Sequence, residues 1–165
     1  MANTEELLRS AFAGESQTNR RYLAYAIRAE EEGYPHVARL FRAAAASETI
    51  HAQNYLRALG EIRSTRENIR EAFSVETTAF KKRYPEMMET ARAEGNRDAE
   101  RLFQYAMESE KIHARLFKKL LDDLEKPPQP ISYHICQGCG HTAEKEPPEA
   151  CPVCGMEGTL YSVVE

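Results

Sequence analysis

The chain uses one helical phrase twice, and the second use repeats the chemistry of the first. Residues 31–52 align with residues 93–114 at a fixed offset of 62, with 11 identities in 22 positions. Each copy ends in a Glu and a His three residues apart: Glu48 and His51, then Glu110 and His113. On a helix that spacing puts a carboxylate and an imidazole on one face, where both can hold one metal ion. Short motifs of this kind also arise by chance in a chain rich in Glu. Their equivalent place in a longer repeat is what chance does not supply, and a duplicated ligand pair predicts two ions.

Hydrophobic spacing tests the same idea independently. One apolar stripe runs Val37, Phe41, Ala44, Glu48, Ala52, Tyr55 and Leu59; its counterpart runs Ala99, Phe103, Ala106, Glu110, Phe117 and Leu121. Both Glu residues therefore stand at core positions of amphipathic helices. An unpaired carboxylate there would cost several kcal/mol, on the order expected for a buried charge, so it must be protonated, ion-paired or metal-bound. Two further stripes behave alike: Leu8, Phe12, Tyr22, Ala26 and Ala29 are interrupted by Glu15, and Ile69, Phe73, Phe80, Met87 and Ala91 by Glu76. Glu15 precedes Glu48 by 33 residues and Glu76 precedes Glu110 by 34, so the chain reads as a duplicated helical hairpin.

Four carboxylates carry the charge that two divalent cations neutralise, and two neutral imidazoles complete the coordination without altering it. One Glu from each of two helices plus ExxH from the other two is the ligand set of ferritin-like di-iron and di-manganese carboxylate bundles. In such a set Glu48 and Glu110 would bridge the ions, Glu15 and Glu76 would be terminal, and His51 and His113 would each cap one ion. The expected fold is mainly α, a ferritin-like four-helix bundle over residues 1–126 followed by a small second domain. Gly33 to Pro35, Gly60 to Thr65, and Gly95 with Asn96 mark the turns. Residues 66–73 are expected as a possible separate turn before the third ligand helix. Pro85 lies inside that helix and predicts a kink or irregularity.

Lys126-Pro-Pro-Gln-Pro130 stops the last helix, and residues 127–130 read as a stiff linker. The segment 131–165 holds all four cysteines, as Cys136-x-x-Cys139-Gly140 and Cys151-x-x-Cys154-Gly155. Each is a knuckle in which two thiolates grip a metal and glycine supplies the positive φ that aims backbone N–H groups at sulfur. Two disulfides are the competing use. With no signal peptide read at the N-terminus, a reduced, cytoplasmic four-thiolate site is expected instead. The spacing accepts iron or zinc. A redox-inert zinc beside a di-metal site would add little but fold, so iron is expected, with zinc or manganese as possible substitutes. His134 and His141 flank knuckles that four thiolates already fill, and are expected to be bystanders.

Three stretches, Ala11 to Gln17, Ser109 to Ala114, and Tyr133 to Gly140 with Pro148 to Gly155, carry a resemblance to the rubrerythrin family over nearly the whole chain. The resemblance implies a rubredoxin-like domain at 131–165 and a non-haem di-iron site that reduces hydrogen peroxide to water. Electrons would reach it through the four-thiolate iron from rubredoxin or an NAD(P)H-dependent reductase. It also implies that Tyr22 and Tyr84 hydrogen-bond ligand carboxylates. One departure stands out: the family commonly has a further Glu three residues after the third-helix ligand, where this chain has Ala79. A six-ligand site is closer to that of related oxidases. Ferroxidase or dioxygen-reducing activity is therefore the alternative, and a non-catalytic metal-binding or zinc-ribbon protein is the alternative of another class.

Glu110 stands 14 residues before Leu124, about 21 Å along a helix axis. That separation predicts a head-to-tail homodimer in which a partner's rubredoxin-like domain approaches the di-iron site. Residues 1–126 balance 21 basic against 21 acidic side chains, whereas the tail opposes Lys145 to five Glu. No basic patch suggests nucleic acid, and no long apolar run suggests a membrane span. His36, beside Pro35, is expected to be exposed and without function.

Overall fold

The computed structural model describes residues 2–127 and 130–164; Pro128 and Gln129 of the expected linker lie outside them. The chain divides into two compact units, 1–63 and 64–165.

The first unit is a helical hairpin, α1 (Thr4–Glu31) and α2 (Pro35–Ala58). Asn3 opens α1 with a capping box to Glu6, and Pro35 occupies the first turn of α2, where its missing N–H costs nothing. The two helices meet along a seam of small residues, with Ala26, Ala29 and Ala38 buried and Val37 and Phe41 packed against them. Ala side chains let the backbones approach closely enough for a polar clasp: buried Asn19 donates to Ala45 O at 2.7 Å and to Thr49 Oγ1 at 2.9 Å.

The second unit opens with α3 (Thr65–Thr78), capped by Ser64 and Glu67. The segment 66–73 is part of this one helix and not a separate turn, because the capping box places the start at Thr65. A π-helical segment, Ala79–Arg83, leads directly into α4 (Tyr84–Ala93). This is the irregularity that Pro85 predicted. Proline cannot donate to Lys81 O, and the ladder widens so that Tyr84 N–H reaches back to Ala79 O. After the turn at Gly95, α5 (Arg97–Asp123) runs 27 residues.

The remainder forms a three-stranded antiparallel sheet of order β2-β1-β3, from β1 (Tyr133–Cys136), β2 (Thr142–Glu144) and β3 (Tyr161–Val164). The two cysteine knuckles have matching hydrogen bonds. Gly140 N donates to Cys136 O and Gly155 N to Cys151 O, each at 2.9 Å, with φ of +79° and +77° at the two glycines. An L side chain would be strained at either.

Candidate metal centres

Each unit gathers three of the six expected helical donors. In the first, Glu15 from α1 meets Glu48 and His51 from α2; their donor atoms lie within 4.8 Å of one another. His51 Nδ1 is 2.9 Å from Glu48 Oε2 and 4.0 Å from Glu15 Oε1. In the second unit Glu76 from α3 meets Glu110 and His113 from α5, with His113 Nδ1 2.8 Å from Glu110 Oε2 and 3.8 Å from Glu76 Oε1. The duplicated sequence thus produces duplicated geometry.

Crowding two carboxylates against one imidazole has a clear electrostatic signature. Glu15 is held above the ordinary carboxyl range, first by a hydrogen bond shared with Glu48 and then by desolvation. Glu76 is raised by burial first and by Glu110 second. Glu110 is lowered, chiefly by its bond to His113, whose own pKa that bond raises. Both raised carboxyls, Glu15 and Glu76, owe their shift in part to a neighbouring carboxylate, and such crowding of negative charge also favours a divalent cation.

The halves differ in what stands behind the histidine. His113 Nε2 lies 2.9 Å from Thr142 Oγ1 of β2, and Thr142 is itself buried. A hydroxyl accepting from Nε2–H leaves Nδ1 as the nitrogen aimed at the carboxylates, the tautomer control that ligand histidines ordinarily receive from their surroundings. No hydrogen bond to His51 Nε2 is found among the described residues, and its side chain is 49% exposed. Tyr84, turned by the π segment, donates to Glu110 Oε1 at 3.5 Å. Tyr22 packs its ring on Phe41 at 5.8 Å, and no carboxylate bond to it is found among the described residues.

The four cysteines form the third cluster. None is in a disulfide, and Cys136 Sγ–Cys154 Sγ and Cys139 Sγ–Cys151 Sγ are 3.6 and 3.5 Å apart. Thiolates about 2.3 Å from a tetrahedral metal are separated by roughly 3.8 Å, so little movement is needed to hold one. Burial pushes Cys139 far up and raises Cys154. Burial also opposes ionisation of Cys151, but Tyr161, the backbone N–H groups of Cys154 and Val153, and Cys139 outweigh it and bring the thiol to about 6. His141, expected as a bystander, is buried and holds that tyrosine: its Nδ1 is 2.9 Å from Tyr161 Oη. Burial first, then Arg115 and His113, lower its pKa, and the same phenol hydrogen-bonds Cys151.

The knuckle lies against α5 of its own unit. Buried Ser109, the residue before Glu110, donates to Cys139 O at 3.1 Å, and Lys119 Nζ reaches Glu144 Oε1 at 2.6 Å. Within this unit the chain returns to α5 after Asp123, so Cys139 lies nearer the triad than the distance counted along the helix axis suggested. An apolar cavity of about 300 Å³ adjoins the contact, walled by Leu116, Phe117, Ile135 and Val164 together with His113 and Thr142.

Two carboxylate-histidine triads on helical hairpins and a four-thiolate knuckle define a class: a protein with di-metal carboxylate donors and a separate four-thiolate metal knuckle. The rubrerythrin family model matches residues 6–121. Rubrerythrin-2 of Clostridium acetobutylicum is 40% identical over 94% of both chains, and rubrerythrin of Porphyromonas gingivalis is 33% identical over 93% of this chain and 86% of its own. Solved structures of nigerythrin in its mixed-valence and all-ferrous states align over 99% of this chain and 88% of theirs, at 29% identity and TM-scores of 0.59 and 0.60. The chain belongs to the rubrerythrin family. Its fold class is that of nigerythrin, and its Glu, His and Cys donors fit the family's iron cofactors. Among the described residues, no helix is long and apolar enough to cross a membrane.

Proposed function

We propose that this chain is a di-iron oxidoreductase that reduces hydrogen peroxide to two waters, taking two electrons per peroxide through its four-thiolate site and two protons from solvent. Iron bound by the helical donors would supply two electrons together to an O–O bond, and iron bound by the thiolates would replenish them singly. Glu15, Glu48, His51, Glu76, Glu110 and His113 would hold the two ions, with Glu48 and Glu110 as the bridging ligands, Glu15 and Glu76 as the terminal ones and one histidine for each ion. Tyr84 holds the Glu110 carboxylate, and Thr142 holds the His113 ring. Cys136, Cys139, Cys151 and Cys154 carry the donor iron.

The observation that carries this reading is the docking of the knuckle on α5, with Ser109 on Cys139 O and Thr142 on His113 Nε2. A purely structural zinc knuckle has no need to abut a carboxylate-imidazole cluster; an electron donor does. An external rubredoxin or NAD(P)H-dependent reductase in a reducing, cytoplasmic setting completes the supply.

Ala79 favours a second reading. It is 1% exposed at the start of the π segment, so no seventh carboxylate enters from that position. Reduction of dioxygen, or oxidation of ferrous iron, fits such a six-ligand site. The test is stopped-flow oxidation of the fully reduced protein by peroxide and, separately, by dioxygen, after anaerobic metal quantification. Faster oxidation by peroxide supports the main reading. A wide margin for dioxygen overturns it, and zinc at the cysteines without a bimetallic centre overturns both.

A further inference from the structure

The two cysteine knuckles share a backbone and differ in what reaches their sulfurs. Tyr161, the first residue of β3, pairs with Cys136 across β1, and its hydroxyl hydrogen-bonds Cys151 of the other knuckle while feeling the charge of Cys136 and Cys139. Cys136 Sγ holds the equivalent place in the first knuckle. Among the described residues it is hydrogen-bonded by no side chain other than cysteine.

His141 joins the two knuckles. It is 6% exposed and stands two residues after Cys139, whose sulfur accepts from the His141 backbone N–H. Its ring meets that of Tyr161 edge-on, at 79° with 6.0 Å between centroids, and its Nδ1 lies 2.9 Å from Tyr161 Oη. One residue thus serves a sulfur of each knuckle, Cys139 directly and Cys151 through the phenol, and those two sulfurs are neighbours at 3.5 Å. The next residue in the chain, Thr142, is the one that reaches His113.

Counting hydrogens gives this chain of contacts a direction. The phenol has one hydrogen to donate, and a thiolate that holds a metal has none. The bond to Cys151 Sγ therefore uses the phenol's hydrogen, and the bond to His141 uses a hydrogen on Nδ1. Cys151 is 3% exposed, which shields its bond from competing water.

We propose that His141 and Tyr161 are a positioning pair that raises the reduction potential of iron held by the four thiolates, by aiming the phenol hydrogen at Cys151 Sγ. Four thiolates around ferric iron carry one net negative charge and around ferrous iron two, so a donor to sulfur stabilises the reduced form more. The step tuned is the transfer of one electron from an external one-electron donor to ferric iron. No bond to sulfur forms or breaks, and no proton moves. The inference rests on iron as the metal of the thiolate site in the function proposed above.

The test compares wild type, Tyr161→Phe, His141→Phe and His141→Asn, loaded anaerobically with iron and titrated spectroelectrochemically at the thiolate-to-ferric absorption band. A net hydrogen bond shifts an equilibrium by about three- to tenfold. Tyr161→Phe keeps the ring and should lower the ferrous-to-ferric ratio at a fixed poise by that factor, a midpoint more negative by about 30–60 mV at 59 mV per tenfold for one electron. His141→Phe should move it the same way, and His141→Asn, whose amide N–H can stand where Nδ1–H stands, should recover most of the loss. An unchanged midpoint in Tyr161→Phe, or a His141→Phe shift that Asn leaves unrescued, overturns the pair. A second measurement needs neither iron nor a variant: in wild-type protein with NMR-active cadmium at the thiolates, the Tyr161 hydroxyl proton should couple to cadmium across the sulfur. Absence of that coupling, or coupling to an imidazole nitrogen instead, overturns the donation. Wild-type protein that takes zinc and refuses iron at the cysteines overturns the iron reading, whatever the cadmium spectrum shows.

Discussion

Replacing Thr142 by Val isolates the contact through which the knuckle touches the ligand shell. The side chain keeps its shape and loses the hydroxyl that lies 2.9 Å from His113 Nε2 and 3.5 Å from Gly140 O. A buried donor left without its partner costs about 1–3 kcal/mol. The His113 side chain is 30% exposed, so water can replace part of the bond and the lower half of that range applies. At about 1.4 kcal/mol per tenfold, 1–1.5 kcal/mol corresponds to a loss of roughly 5- to 12-fold in metal affinity at the His113 position. Losses of about 10–100-fold are usual when a ligand histidine's orienting partner is removed, which places the expectation near ten. The assay is anaerobic competition with a graded chelator, read beside the same measurement on Thr142→Ser, which restores the hydroxyl and should recover most of the affinity. Equal chelator resistance in the Val variant and wild type would refute the orienting role. A loss that Ser does not rescue would assign the effect to packing.

Cys136→Ser should leave the helical metals in place and stop electron delivery, seen as full chelator-resistant iron in the helical sites with re-reduction slowed to background; normal re-reduction would detach the knuckle from catalysis. Metal uptake by the knuckle should strengthen as pH rises, since burial keeps Cys139 and Cys154 protonated and both must release protons to bind. Tyr161→Phe removes the hydroxyl that helps bring Cys151 to about 6, so its uptake curve should move to higher pH; superimposable curves would contradict that assignment. Asn19→Ala removes both bonds that clasp α1 to α2 and should cost about 2 kcal/mol, or about 4–8 °C in Tm by thermal denaturation. A shift below about 1 °C would mean the seam of alanines suffices alone.

The helices, their turns and the three donor clusters were legible because each rests on a local rule. Stripes at helical spacing located α1, α2 and α5; a proline inside the third helix marked the π segment; Cys-x-x-Cys-Gly fixed the knuckles. The contacts that link the clusters were not legible. Ser47 and Ser109 occupy equivalent places in the repeat, yet Ser47 is exposed and Ser109 is buried against Cys139. Nothing periodic separates them, since the difference arises only when the tail folds back on α5. Thr142 and His141 were hidden for the same reason: one hydroxyl in a three-residue strand and one histidine beside a filled thiolate site gain their roles from what lies across the contact. A sequence repeat reports common ancestry of two halves and is silent about a third element that docks on one of them.

That third element is what breaks the symmetry of the donor set. By sequence the two triads are equivalent, each with two carboxylates and one imidazole. Where the family commonly adds a carboxylate three residues beyond Glu76, asymmetry lies among the ligands themselves. Here that position is a buried Ala79, and the asymmetry lies behind them: His113 is braced by Thr142 and faces an apolar cavity, while His51 is half exposed. Placing the contrast outside the donor set leaves the two triads the same formal donors but gives them different surroundings. On the proposed function, electrons from the thiolate site would reach the His113 position first, the same position whose ring Thr142 orients. On that same function, the choice of oxidant would turn on how freely the less constrained, half-exposed His51 side admits peroxide or dioxygen.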